Sequence, residues 1–177
     1  MKTLRYSLVL ALACVLLTPA VAQRRATSAS TQPVDAASVP AAVMATWNAQ
    51  FPGVTATKWV KKQVNDQVGY TAHFTKDGKT VVARIWEDGT YRWMAVHHTA
   101  QQVPADLAKA ATDANPGTTV RWAKAITVAK KNFTYYKVRL AKAGSVVTAY
   151  FDQDLKPISK QSVNAISPEA EADTDDQ

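Results

Sequence analysis

Val39, Val43, Trp47 and Phe51 recur every four residues, which lays an apolar stripe along one side of a helix. Ser38 stands where a helix cap is wanted, and Pro40 suits a first turn, where its missing N–H would find no partner anyway. Pro52-Gly53 ends the stripe. Beyond it the period falls from four to two. The β-rich stretch "VTATKWVKK" leads into alternating runs on either side of Asp77-Gly78, a dipeptide suited to a two-residue type I′ turn. Asp88-Gly89 predicts a second hairpin of the same kind. The unit expected is one helix followed by about four antiparallel strands.

That unit occurs twice. "VPAAVMATWNAQFPG" from Val39 is answered by "VPADLAKAATDANPG" from Val103, each with Pro-Gly twelve residues after its first proline. Tyr70, Phe74, Gly78, Val82 and Ile85 match Tyr136, Leu140, Gly144, Thr148 and Phe151 at a constant offset of 66. Such self-similarity predicts tandem repeats over residues 39–100 and 101–160, joined in one compact domain. The fold class is therefore α+β: two tandem repeats forming a curved antiparallel sheet with helices on one face. The second helix should bury less apolar area, because Ala111 and Asn115 stand where the first has Trp47 and Phe51.

The two ends differ from this body. Residues 1–22 combine a basic start (Lys2, Arg5), an apolar run and Ala20-Val21-Ala22, the pattern of a secretory signal peptide. Lipoprotein processing at Cys14 is the minor alternative. Residues 23–38 read as a flexible leader, and 161–177, with five acids and no base, as a disordered acidic tail. Cys14 is the only cysteine, so a chain cleaved after Ala22 has no disulfide and no thiolate chemistry. Localisation is expected to be periplasmic or secreted, with no transmembrane segment after cleavage. Residues 39–160 carry 17 Lys/Arg against 8 Asp/Glu, a formal +9. Outside the cytoplasm such a balance suits acidic proteins or anionic envelope polymers, not nucleic acid.

The helix ending in "FPG", the tryptophan about seven residues on, the Tyr-x-x-x-Phe strand and the endings "IWEDG" and "FDQDL" resemble the PepSY-like, β-lactamase-inhibitor-like family of small exported bacterial proteins. The resemblance implies helix-plus-sheet repeats, no enzymatic activity, and in some relatives the binding of proteins, secreted hydrolases included, on the sheet. This chain departs from that pattern at Trp86, where relatives often carry Asp, and at Leu155, where Gly is expected.

Side-chain alternation assigns the faces. A two-residue Asp77-Gly78 turn pairs Phe74 with Val81, Ala72 with Ala83 and Tyr70 with Ile85, an apolar set for the helices. A two-residue Asp88-Gly89 turn would pair Trp86 with Tyr91 and Arg84 with Trp93, all four on the opposite face, with Arg92 at the margin of the core side. In the second repeat Tyr135, Lys137, Arg139 and Tyr150 continue that outer face. Arg84, Trp86, Tyr91, Trp93, Tyr135, Lys137, Arg139 and Tyr150 are therefore the candidate partner-binding residues, of types enriched at binding hot spots. Ladder-stabilising cross-strand pairs explain the same cluster equally well.

No nucleophile elbow, P-loop, dinucleotide fingerprint or zinc-protease motif occurs. His97 and His98 would point to opposite faces of a strand, and "DQD" lacks the glycine and distal glutamate of a calcium loop. No catalytic residue, metal site or cofactor is expected. The sequence thus predicts an exported, non-enzymatic module that binds a protein partner on an open sheet face, with inhibition of a hydrolase one form of this. The alternative is an envelope ligand-binding or sensory protein recognising an anionic cell-wall or small-molecule ligand.

Overall fold

A computed structural model describes residues 31–64 and 67–167, which form nine strands and three helices. The expected signal peptide (1–22) with Cys14, the first part of the leader (23–30) and the tail from residue 168 lie outside the described residues. The strands are β1 (Thr31–Val34), β2 (Lys58–Val64), β3 (Gln67–Lys76), β4 (Lys79–Trp86), β5 (Tyr91–Thr99), β6 (Thr119–Val128), β7 (Phe133–Lys142), β8 (Ser145–Asp152) and β9 (Pro157–Ile158). They form one antiparallel sheet in which spatial order equals chain order. Helix α1 (Ala41–Gln50) precedes β2–β5, α2 (Ala105–Ala114) precedes β6–β9, and α3 (Lys160–Ile166) follows the sheet.

Residues 31–38, expected to belong to the flexible leader, are structured. Thr31–Val34 pairs with Trp59–Lys62 as β1, and Pro33 is tolerated because the strand lies at the sheet edge. Ser38 does not cap α1: Val39 and Pro40 are extended, and the helix begins at Ala41 with no side-chain cap. The apolar stripe nevertheless does what its spacing predicts. Trp47 packs against Phe51, Trp59 and Phe74 with ring centroids 4.6, 5.3 and 5.1 Å apart, the last two edge-on, while Tyr70, Ala72, Val81, Ala83 and Ile85 complete this core. Under α2 the smaller Leu107 and Ala111 meet Ala123, Val138, Leu140 and Phe151. The register carries both sets to the same face of the sheet.

The Asp77-Gly78 turn has the expected register, Lys76 opposite Lys79 through Gly69 opposite Trp86. Both turn residues are left-handed, at φ 50° and 70°, as a type I′ turn requires. Asp88-Gly89 is different. The loop is three residues, Glu87–Gly89: the Trp86 N–H donates to the Thr90 carbonyl and the Gly89 N–H to that of Trp86, both at 2.9 Å. Asp88 Oδ1 accepts the Thr90 N–H at 2.8 Å, and Gly89 takes φ 88°. An Asp-Gly pair serves this turn-plus-bulge loop as well as the two-residue one. The register then shifts between Arg84 and Ile85, so that Arg84 faces Trp93 but Ile85 faces Tyr91.

Gly89 also sits against α1. Its carbonyl accepts the Thr46 hydroxyl at 2.6 Å, and a Cβ there would lie 3.0 Å from the Ala42 carbonyl oxygen. Gly89→Ala should therefore cost about 2–3 kcal/mol, combining left-handed strain with that collision. Gly78→Ala, where a Cβ meets nothing within 4 Å, should show only the strain, about 1 kcal/mol. Denaturant midpoints of the two variants test the difference.

Candidate functional site

The sheet face opposite α1 and α2 is built by alternation. Crossing it from β2 to β8 are Val60 and Lys62, then Thr71, then Val82, Arg84 and Trp86, then Trp93 and Ala95, then Lys124 and Ile126, then Tyr135, Lys137 and Arg139, then Thr148 and Tyr150. This face is not open. Helix α3 lies on it, with Val163 fully buried among Trp93, Ile126, Tyr135 and Tyr150 and with Ile158 and Ile166 alongside. Ser159 starts the helix by accepting the Ser162 N–H at 3.0 Å. Lys131 Nζ donates to the Ala165 carbonyl at its far end, 3.2 Å away. The expected acidic tail thus begins as a helix. The expectation of helices on one face is corrected in the same way: the aromatics of the second face are too apolar to be left to water.

The candidate residues separate accordingly. Arg84, Trp86, Trp93, Tyr135, Lys137 and Tyr150 do share the second face, but all six are buried, Trp93 and Arg84 to 1% exposure and Lys137 to 2%. Arg139 shares it half-buried and donates to the Thr148 hydroxyl at 2.5 Å. Tyr91 does not belong there. The extra residue at the bulge reverses its side, so that its ring meets Phe51 edge-on at 6.0 Å beneath α1, and burial pushes its hydroxyl pKa up to about 12. Arg92, expected at the margin of the core, takes the other side. Its guanidinium lies 5.5 Å from the Trp86 ring, which Arg84 approaches at 5.7 Å. Arg84 also donates twice to the Thr71 hydroxyl, at 3.2 and 3.0 Å. The Trp86 ring covers Gly69, where a Cβ would sit 2.7 Å from it.

Sequence reasoning missed Lys62, Lys124 and Trp122. Lys62 and Lys124 are buried on this face, and Lys124 lies 5.3 Å over the Trp122 ring. Alternation from Tyr135 and Lys137 through β6 would have found the last two. Trp122, Lys137, Arg139, Thr148, Tyr150 and Lys160 line a cavity of about 800 Å³ beside the start of α3. Three cations and two aromatic rings suit a ligand carrying carboxylate or phosphate groups on an apolar frame. Among the described residues no three His, Cys, Asp or Glu side chains are grouped to hold a metal.

His73 and His97 flank this face, and His98 lies on the other, its ring nitrogen Nδ1 3.1 Å from the Gln102 carbonyl. All three are held below the ordinary histidine value, first by burial. Lys58 adds to this for His73, Lys124 and His98 for His97, and Lys79 for His98, where the Gln102 carbonyl opposes it. Folded-state values below the unfolded one mean that the unfolded chain binds more protons between the two. Stability is therefore complete above about pH 6.5 and falls as the pH drops below it. Melting temperatures measured from neutral to mildly acid pH should decline, and less steeply in His73→Gln/His97→Gln.

The architecture is α+β, a nine-stranded antiparallel sheet with helices on both faces, and among the described residues no helix is long and apolar enough to cross a membrane. No family model and no curated protein matches the chain. Among solved structures, a DUF2874 family protein from Bacteroides ovatus is similar with a TM-score of 0.55 and 13% identity, over 68% of this chain and 84% of its own. A "putative calcium-regulated periplasmic protein" from Bacteroides thetaiotaomicron matches at TM-score 0.32 and 16% identity, over 73% and 94%. A "putative periplasmic protein" of the DUF2874 family from Bacteroides vulgatus matches at 0.33 and 16%, over 73% and 95%. At these identities the first match shows a shared fold and nothing more. None of them confirms the resemblance to the PepSY-like family, which rests on the sequence motifs.

Proposed function

We propose that this chain is an exported, non-enzymatic binding module that takes an anionic ligand on its second sheet face, in the cavity bounded by Lys137, Arg139 and Lys160. The observation that carries this reading is the chemistry of that cavity, three cations with Trp122 and Tyr150 around about 800 Å³. Charge segregation supports it. Among the described residues the acids lie before α1, in the loops after β3, β4 and β8, and on α2, except Asp152, which ends β8 opposite Tyr135. The Asp152 carboxylate is engaged by its own loop, accepting the Asp154 and Lys156 N–H groups. Export rests on the pattern of residues 1–22. The order of α1 before four strands and α2 before four more supports a tandem duplication of one unit.

A protein partner gripped by Arg84, Trp86 and Trp93 is less well supported, because these three are buried and Tyr91 faces α1. Hexaglutamate and soluble peptidoglycan fragments are suitable probes, with isothermal titration calorimetry as the measurement. Binding that weakens with added salt and with Arg139→Gln is expected. If neither probe binds at low ionic strength, the proposal fails.

A further inference from the structure

Strand β8 is bordered by β7 along its whole length but by β9 only at Tyr150 and Phe151, because the chain leaves the sheet at Ser159 to start α3. Its backbone directions follow from its two ends. The two-residue Ala143-Gly144 turn makes Lys142 and Ser145 a hydrogen-bonded pair, so the N–H and C=O groups of Ser145, Val147 and Ala149 point to β7. At the far end the Asp152 N–H donates outward to the Lys156 carbonyl at 3.0 Å, in keeping with the same alternation. The N–H and C=O groups of Val146 and Thr148 therefore point out of the sheet, and among the described residues no strand meets them.

Proteins guard such margins with proline, charge or a bulge. The opposite margin carries Pro33 in β1. Residues 145–149 read Ser-Val-Val-Thr-Ala, without proline or charge. Val146 is the large apolar side chain most open to water among the described residues, at 55% exposure. The cavity of the second face also opens onto this margin. Besides Thr148 and Lys160 it is lined by Ala149 and Phe151, on the α2 side of the sheet, and by Ala114 and Asn115 at the end of α2. It thus wraps the edge of β8 where a continued β9 would run.

Charge selects the occupant. Arg139 stands opposite Thr148 and donates to its hydroxyl, Lys142 stands opposite Ser145, and Lys160 opens α3. The acids nearby are Asp152, engaged by its own loop, and Asp154. A second copy laid antiparallel on the same margin would bring Lys142 of each near Lys160 of the other, an unfavourable meeting of like charges. An extended peptide with acidic side chains at alternate positions meets no such cost. The residues opposite Val146 and Thr148 would set their carboxylates on the second face, beside Arg139 and Lys160. The residue between them would lie with Val147 on the α2 side.

We propose that residues 145–149 of β8 accept an acidic extended peptide as an added antiparallel strand. The acidic character of the peptide rests on the anion-binding reading above; the strand pairing does not.

Titration calorimetry of the full-length chain with the end-blocked pentapeptide Thr-Glu-Val-Glu-Thr tests this, its glutamates placed opposite Thr148 and Val146. Methylating both glutamate amide nitrogens removes the N–H groups aimed at β8 and should weaken binding about 10-fold or more. Methylating the valine nitrogen, which points away, should change it by less than about 3-fold. On the protein, Val146→Pro removes an outward N–H that carries no bond to β7, so the melting temperature should hold while affinity falls about 10-fold. Equal or inverted effects of the two methylations overturn the strand pairing and leave anion binding standing. Hexaglutamate binding without pentapeptide binding does the same. Equal affinity for the peptide with glutamine in place of both glutamates overturns its acidic character. A chain that sediments as a dimer, and as a monomer once Val146→Pro is made, has a second copy on this margin, which overturns the proposal. If the pentapeptide, hexaglutamate and peptidoglycan fragments all fail to bind at low ionic strength, both readings fall.

Discussion

Replacing Trp93 by alanine is expected to destabilise the protein by about 3–5 kcal/mol. The side chain is 1% exposed and packed among Val82, Ala95, Ile126, Val128, Tyr135, Tyr150 and Val163, with the Arg84 guanidinium 5.9 Å from its ring. Alanine would leave a cavity between sheet and α3, and would remove the ring beside a buried cation. The indole N–H is buried and has no hydrogen-bond partner among the described residues. Trp93→Phe therefore sacrifices packing but no hydrogen bond, and should cost about 1–2 kcal/mol. Urea denaturation of the two variants checks the ratio. A Trp93→Ala chain as stable as wild type but defective in ligand capture would make the residue a binding anchor after all.

The counterpart on the other side of the sheet is Trp47. Its ring touches Phe51, Trp59 and Phe74, and Phe51 in turn meets Phe74 at 5.0 Å and Tyr91 at 6.0 Å. Alanine here should also cost about 3–5 kcal/mol, a fall in melting temperature of roughly 10–15 °C. Trp47 Nε1 donates to the Val54 carbonyl at 3.3 Å, a long contact that Phe would forfeit cheaply. Trp47→Phe should retain most of the stability. Leu107→Ala, the corresponding anchor of α2, removes a smaller side chain and should cost about 2–4 kcal/mol. A thermal melt of each variant orders the two helices by the strength of their attachment.

Much of the sheet could be read from residue order because alternation and turn chemistry are local. The first hairpin is legible pair by pair, since Asp77-Gly78 fits one turn and its flanks are apolar on alternate positions. The second was misread by one residue. Asp88-Gly89 belongs to a three-residue loop, and a shift of one residue sends Tyr91 to the opposite face. In the second half, Leu155 occupies the position of Gly89 with φ 60°. Its N–H donates to the Asp152 carbonyl as that of Gly89 does to Trp86. The loop forms despite the missing glycine because Leu155 packs on the core under α2, which offsets a strain of about 1–2 kcal/mol. Helix α3 was not legible: seven residues with only Val163 and Ile166 on its apolar side give too short a period to read. That omission concealed the burial of the candidate site, since nothing else in the sequence indicated what would cover it.

Strand order along the sheet repeats chain order from β1 to β9, and this bears on how the protein reaches its native state. Each strand finds its partner within the next connection, without waiting for a distant segment, so little loop-closure entropy is spent before pairing stabilises the chain. Sheets of this topology are expected to fold faster than sandwiches or barrels of similar size, whose strands pair across long stretches of sequence. A sheet whose neighbours in space are neighbours in sequence can assemble hairpin upon hairpin, and with a single cysteine in the chain no intramolecular disulfide has to be set afterwards.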